Sequence, residues 1–418
     1  MYNKIPKNWE KVKLKKYIEI VRGVNYKSNE VYDYKNDNTT GILRANNISN
    51  NGMFNFEKII YVDNKNIKNE QMIKNGDIVI AMSSGSKNLV GKAAQAKQNL
   101  NFAFGAFCSV VRPKNINSDF LGFYFLTDYY RNKISELSTG ININNLRKDY
   151  IENLDIMVPL DPKEQEKIVQ VLDPMSNIIR LREKCISHAQ DLIPALFQEM
   201  FGDPINNNKN YSCESLKKLC SKIGSGATPR GGKESYLKEG ISFVRSMNVH
   251  DGIFQYKDLA FINDEQAKLL DNVELQESDV LINITGASVA RTCIVPKEIL
   301  PARVNQHVSI LRCTGRLNPY FLNVLLYFQT TKQKLLDLAN SKGATREAIT
   351  KQQLELFKII LPPIEQQEFF AEKVQEIEAY IKTQQAELEN AKQMFQSLLH
   401  HAFTGELTRH KFGGDANG

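Results

Sequence analysis

The sequence predicts an α+β protein with two mixed α/β globular domains, tandemly duplicated and separated by two long helices that pair as an antiparallel coiled coil. Three observations carry this. Two apolar series match position for position: Ile168, Leu172, Met175, Ile179, Arg182, Ile186, Ala189, Ile193, Leu196, Met200, and then Phe370, Val374, Ile377, Ile381, Gln384, Leu388, Ala391, Phe395, Leu398, Ala402, each 202 residues after its counterpart. Steps of four and three place these side chains on one seam. Two unrelated surface helices would show no such registration. Globular segments recur beside the helices, and Gly140 precedes Pro159 by the same 19 residues that separate Gly343 from Pro362.

The seam is expected at Leu172, Met175, Ile179, Ile186 and Ile193 on the first helix, and at Val374, Ile377, Ile381, Leu388 and Phe395 on the second. A parallel pairing would set Ala189 against Ala391 and leave a void, which costs stability. An antiparallel pairing brings Ala189 toward Ile381. Pro-Leu-Asp-Pro-Lys-Glu-Gln (159–165) opens the first helix and Pro-Pro-Ile-Glu-Gln (362–366) the second. Glycine stops follow at Phe201-Gly202-Asp203-Pro204 and Phe403-Thr404-Gly405-Glu406. Pro174 and Pro194 lie inside the first pattern. Each removes a hydrogen bond, which predicts either a kink or a helix that starts only near Pro174.

The domains are taken as residues 1–158 and 204–361, the helices as 159–203 and 362–410, and 411–418 as a disordered tail. Each domain begins with a lone aromatic before an amphipathic piece, Trp9 with Leu14 and Ile18, and Tyr211 with Leu216 and Leu219. Polar glycine loops follow at 22–28 and 224–232. Ile42–Ile48 and Phe243–Val249 read as strands delivering an arginine and an asparagine to their ends. Gly76–Ile80 and Ser278–Ile282 read as buried strands leading into small-residue loops at 83–86 and 285–288. Cys108–Arg112 and Val308–Arg312 are further strands. Phe120–Leu137 and Tyr320–Leu338 read as covering helices.

At 418 residues, 42% hydrophobic and 24% charged, the composition is that of a soluble globular protein with more than one core. The first 16 residues have no apolar stretch of the secretory kind, and no segment is long and apolar enough for a membrane span. Six cysteines without a Cys-x-x-Cys spacing read as reduced thiols, so a cytoplasmic protein is expected. Charge alternates along the chain: +8 over 1–158, −3 over 159–203, +6 over 204–361 and −4 over 362–418. A polyanion would meet the globular parts, although a modest lysine excess is also common on plain solvated surfaces.

No catalytic constellation is found. The Asn/Asp-Pro-Pro-Tyr loop and the Phe-x-Gly-x-Gly turn of amino-methyltransferases are missing, and no Pro-Asp opens a nuclease carboxylate cluster. Gly226–Lys233 fails as a phosphate loop, with Ala227 and Glu234 at two key positions. The six histidines lack metal-ligand spacing. What remains is polar loops at strand ends. Arginine and asparagine suit base-edge readout because each makes two parallel hydrogen bonds, to guanine and adenine respectively. Small residues let the backbone approach phosphates. The plain alternative is that Arg44 and Arg245 form salt bridges and the glycines merely turn the chain.

The Glu164-Gln165 and Glu365-Gln366 helix openings, the Phe201-Gly202-Asp203 and Phe403-Thr404-Gly405-Glu406-Leu407 helix ends and the Gly-Ser-Gly-Ala-Thr-Pro loop at 224–229 together resemble the DNA specificity (S) subunit of type I restriction-modification systems. The resemblance covers nearly the whole chain. It implies two target-recognition domains, each reading one half of a split, asymmetric site in double-stranded DNA, with the helices as spacer. It also implies two methyltransferase (M) subunits that bind S-adenosylmethionine, restriction/translocase (R) subunits for cleavage, and no cofactor, metal or catalytic residue in this chain. The DNA-contact candidates are Arg22, Asn25, Lys27, Arg44, Asn46, Asn47, Ser84, Ser86, Lys87, Asn142, Asn144 and Arg147 in the first domain. In the second they are Ser225, Thr228, Arg230, Arg245, Asn248, Thr285, Ser288, Arg291, Thr345 and Arg346. The first domain departs from the family pattern, with Gly23-Val24-Asn25-Tyr26 where Ser-Gly-x-Thr-Pro is common. The rival readings are a coiled-coil assembly protein whose two domains bind proteins rather than DNA, and a fused restriction-methylation enzyme, against which the missing motifs count.

Overall fold

The computed structural model describes residues 5–49, 51–84, 89–139, 145–229, 231–340 and 347–407. The chain divides into two compact units, one of Met1–Glu183 with Glu387–Gly418 and one of Lys184–Ala386. Each unit holds one globular part together with a portion of each long helix.

In the first unit, β1 (Trp9–Lys13) pairs antiparallel with β10 (Asp155–Pro159), so that both ends of the globular part meet beside the helix that follows. The indole of Trp9 donates to Glu164 Oε1 at 2.8 Å. A second, antiparallel sheet has the order β2 (Ile18–Arg22), β9 (Cys108–Pro113), β6 (Ile78–Ala81), β7 (Ala93–Gln95). A third has the order β3 (Val31–Tyr32), β5 (Ile60–Asp63), β4 (Thr39–Leu43), β8 (Phe102–Phe104), with β4 and β8 parallel. The run Ile78-Val79-Ile80-Ala81 is buried on both faces, which explains why β6 is uniformly apolar.

The second unit repeats this plan. β11 (Ser212–Ser215) pairs with β21 (Lys358–Leu361). One antiparallel sheet runs β12 (Cys220–Ser225), β20 (Val308–Cys313), β17 (Val280–Asn283), β18 (Thr292–Ile294), and another runs β16 (Ala260–Ile262), β13 (Ile241–Val244), β19 (Ala302–Val304), with β13 and β19 parallel. A small hairpin, β14 (Val249–His250) with β15 (Ile253–Phe254), is added. A buried ion pair recurs at the same place in both units: Asp77 with Arg112, and Asp279 with Arg312, each through two nitrogens at 2.8 Å. These bonds raise the arginine pKa in both cases.

The segments expected as single covering helices are each broken in two. The first becomes α1 (Ser118–Tyr124) and α2 (Asp128–Thr139), because the Thr127 hydroxyl turns back to accept Tyr130 N at 3.2 Å and restarts the chain. After α3 (Lys148–Glu152) comes the long helix α4 (Pro162–Phe201). In the second unit, after the short α5 (Leu216–Leu219) and α6 (Asp264–Lys268), the break falls at Phe328, between α7 (Pro319–Tyr327) and α8 (Gln329–Asn340). α9 (Lys351–Leu356) and α10 (Ile364–Thr404) complete the chain.

α4 begins at Pro162, not near Pro174: the Asp161 carboxylate accepts Lys163 N at 2.9 Å, and a proline suits the first helical position. It runs through both interior prolines. The carbonyls they orphan belong to Gln170 and Gln190, both exposed residues that water can reach. Within each unit the two long helices run antiparallel. In the first, Arg182 pairs with Glu387 and Lys392 with Glu183, and Leu172 and Ile179 share one core with Ala391, Phe395 and Leu399. In the second, Phe197 and Phe201 pack on Phe370 with ring centroids 5.6 and 5.3 Å apart. Of the remaining seam residues, Ile186, Ile193, Val374 and Ile381 are buried, whereas Met175, Ile377 and Leu388 are partly so. The helices are also part of the globular cores: Phe395 meets Phe123 and Phe403 meets Phe120.

The matched glutamines lie one residue from the expected pair. Gln165 accepts Asn117 N and donates to Pro159 O, and Gln367, not Gln366, repeats this with Asn318 N and Pro362 O. Gln366 corresponds to Glu164: it accepts from Tyr211 Oη at 3.1 Å, as Glu164 accepts from Trp9.

Candidate nucleic-acid interface

In each unit the candidate loops converge on one turn. In the first, that turn links β8 to β9 through Gly105, Ala106 and Phe107. Gly105 N donates to Leu43 O at 2.9 Å, just before Arg44. Val24 N donates to Phe104 O at 2.8 Å, which brings in the glycine loop. Phe107 O accepts Met82 N at 2.8 Å and Ser83 N at 3.1 Å, and Ser83 bridges to Asn145. The second unit builds the same junction on Asn305, Gln306 and His307. Asn305 N donates to Val244 O beside Arg245, Gly226 N to Asn305 O, and Ile284 N to His307 O, while Thr285 bridges to Ala348.

The loop glycines serve this convergence. A Cβ on Gly23 would sit 2.1 Å from Gly105 O, and one on Gly226 1.8 Å from Val304 O. The close approach they permit is to the chain's own backbone. Although the two loops differ in sequence, Gly23 and Gly226 occupy equivalent places. Burial raises the pKa of half-buried Tyr26 against the influence of Arg44, so this phenol stays a donor next to Gly105.

The strand-end arginine and asparagine are also duplicated, but the asparagines are not free to read a base. Asn47 is buried; its Oδ1 accepts Arg44 N, and its Nδ2 donates to Asn55 O and Glu57 O. Asn248 does the same with Arg245 N, Gln255 O and Lys257 O. Each amide spends both hydrogens and one of its two acceptor sites on holding the turn, so neither can offer adenine the donor–acceptor pair expected of it. Arg44 and Arg245 are half-buried, and each spends one Nη2 on a carbonyl, of Lys58 and Asp258 respectively. Arg245 also lies over the Tyr236 ring at 5.2 Å. These are not the salt bridges of the plain alternative; in each guanidinium Nε is buried without a partner and Nη1 lies outside these bonds.

Arg22, Asn25, Lys27 and Asn46 are exposed, and Ser84 is half-buried. Arg147 is exposed but paired with Asp149 at 2.6 Å and stacked on Tyr150. Ser225 ends β12 opposite Ser309. The Thr228 hydroxyl donates to Gln306 Oε1, and Thr285 Oγ1 bonds His307 Nδ1. The Ser288 hydroxyl accepts from buried Asn283, and Arg291 approaches His250 at 3.4 Å. Ser86, Lys87, Asn142, Asn144, Arg230, Thr345 and Arg346 lie outside the described residues. Beside β12 a cleft of about 600 Å³ is lined by Lys217, Lys222, Ser225, Asn272 and Lys351. Sequence reasoning missed these lysines, which have no common spacing. Among the described residues, no three His, Cys, Asp or Glu side chains are grouped to hold a metal ion.

Comparison with known proteins places these features. The type I restriction modification DNA specificity domain matches twice, over residues 6–188 and 208–392. The chain is 26% identical to the type I restriction enzyme EcoKI specificity subunit of Escherichia coli K12, over 97% of this chain and 90% of that protein. It is 29% identical to the StySPI specificity subunit of Salmonella potsdam with the same coverage. Among solved structures, the S subunit of a type I restriction-modification system from M. genitalium shares the fold with a TM-score of 0.54 at 14% identity, covering 96% of this chain and 97% of that one. A chain from a type I R-M system described for its complex assembly gives 0.51 at 18% identity, covering 96% and 98%. With the family's domain present twice and covering most of its length, this chain belongs to the type I restriction-modification DNA specificity family.

Proposed function

We propose that this chain is the specificity subunit of a type I restriction-modification complex, recognising a bipartite, asymmetric DNA site with one unit per half-site. The observation that carries the reading is the double construction of one loop junction, with different side chains mounted on the same backbone frame. Such a frame suits two readers of unlike sequence better than two copies of a protein-binding face. The globular segments, residues 1–158 and 204–361, carry the positive charge that a phosphate backbone requires. The acidic helices serve as spacer and as scaffold for two methyltransferase subunits, which hold the S-adenosylmethionine, and for restriction subunits. This chain itself performs no catalysis and works in the cytoplasm. Among the described residues no helix is long and apolar enough to cross a membrane.

The test is DNA binding and methyl transfer by the full chain, with and without methyltransferase subunits. Binding should weaken steeply with salt, and transfer from S-adenosylmethionine should appear only when those subunits are present. Transfer by the rigorously purified chain would contradict the non-catalytic role. An assembled complex with no affinity for DNA would favour the protein-assembly reading instead.

A further inference from the structure

We propose that the turn at the hub of each junction is its base-reading element: Gln306 reads an adenine, and Phe107 lies against a thymine methyl group. The inference rests on the DNA-reading function above and names the residues that carry it.

The two turns hold the same place. Each connects a strand of the mixed sheet to one of the two inner strands of the antiparallel sheet, and each takes a hydrogen bond from the residue after the buried strand, Met82 N to Phe107 O at 2.8 Å and Ile284 N to His307 O at 2.9 Å. Phe107 therefore corresponds to His307, and Ala106 to Gln306. Phe107 is 69% exposed on a backbone fixed at three points. An aromatic ring held out in water by a rigid turn gains nothing for the fold, whereas contact with a thymine methyl group is an established use of phenylalanine in the major groove.

Gln306 is exposed, yet its amide is held in place. The Thr228 hydroxyl donates to Oε1, and Nε2 donates to His307 Nε2 at 3.1 Å. The imidazole proton then sits on Nδ1 and goes to Thr285 Oγ1. A primary amide has two acceptor sites and two hydrogens. The network uses one of each, leaving one acceptor and one donor. That pair matches the N6 and N7 edge of adenine. Because the amide is already oriented, little rotamer entropy is lost on contact. Thr228 and Thr285 thus act as positioning residues for Gln306.

The experiment is selection of bound duplexes from a randomised library by the full chain, repeated with Gln306→Glu, Thr228→Val and Phe107→Ala. The wild type should enrich two short blocks around an unread spacer. Gln306→Glu, which has only acceptors to offer, should lower the adenine preference at one position of one block by roughly 10- to 100-fold and shift it toward cytosine. Thr228→Val should weaken the same position less. Phe107→Ala, which removes an exposed ring, should relax one thymine in the other block and leave the melting temperature unchanged. Unaltered blocks, or an equal loss over all sequences, would overturn the assignment while leaving DNA reading intact. No enriched block with the wild type would overturn the DNA-reading function itself.

Discussion

Asp279 is 1% exposed and meets Arg312 through both carboxylate oxygens, with Gln276 N donating as well. Removing the aspartate leaves Arg312, whose side chain is 22% exposed, without its partner, at a cost of about 1–3 kcal/mol, below that of a fully buried orphan charge. Asp279→Ala should therefore lower stability by that order in urea titration, and a loss under about 0.5 kcal/mol would mean that the pair adds nothing to the fold. Glu378 gives the opposite sign. It sits in a groove with Tyr320, Tyr327 and Ile381, and desolvation lifts its pKa to about 7. The folded state then binds a proton more tightly than the unfolded one. Its contribution is favourable below the unfolded pKa of 4.5 and is lost as pH rises through 7. Glu378→Gln should stabilise the protein at pH 8 by about 1–2 kcal/mol, allowing for its part-exposed position, and bring no gain at pH 4. Equal effects at both values would remove the electrostatic explanation. Asp279 lies in a stretch that reads as a buried strand, but its pairing with Arg312 and the burial of Glu378 were not legible, because both are set by tertiary packing.

The helices were the most legible elements. A sustained apolar period needs no tertiary information, so the seam from Leu172 to Phe395 could be read directly. Their starts were less so, since Pro162 and Pro174 both look like openings and only the Asp161 cap decides between them. The breaks at Phe125–Thr127 and Phe328 were invisible because the apolar pattern continues across them. At 40 and 41 residues, α4 and α10 are each about 60 Å long; the apolar series alone, about 36 residues, gives roughly 54 Å. We propose that they set the distance between half-sites. One heptad added to both, between Ile179 and Ile186 and between Ile381 and Leu388, keeps the seam in register. It adds about 10.5 Å, so the preferred spacer should grow by about two to four base pairs. Mapping methylated adenines after selection from a randomised library would show this. An unchanged spacer with normal affinity would remove the ruler role.

For the whole molecule, duplication was plain in the sequence because the helices keep a constant 202-residue offset. The site was only half legible. Arg44 and Arg245 stand out as matched residues, and the asparagines beside them match as well, yet these proved to be turn-holders. The hub turns share no residue at all, Gly105-Ala106-Phe107 against Asn305-Gln306-His307, so only strand topology makes them equivalent. A frame shared for structural reasons and tips that differ are what two independent readers of different half-sites require. The most direct test exchanges residues 1–158 for the corresponding segment of a relative of different specificity and maps the sites methylated by the assembled complex. The account predicts that one half-site changes to that of the donor while the other half-site stays as it was. A change in both half-sites, or in neither, would contradict it.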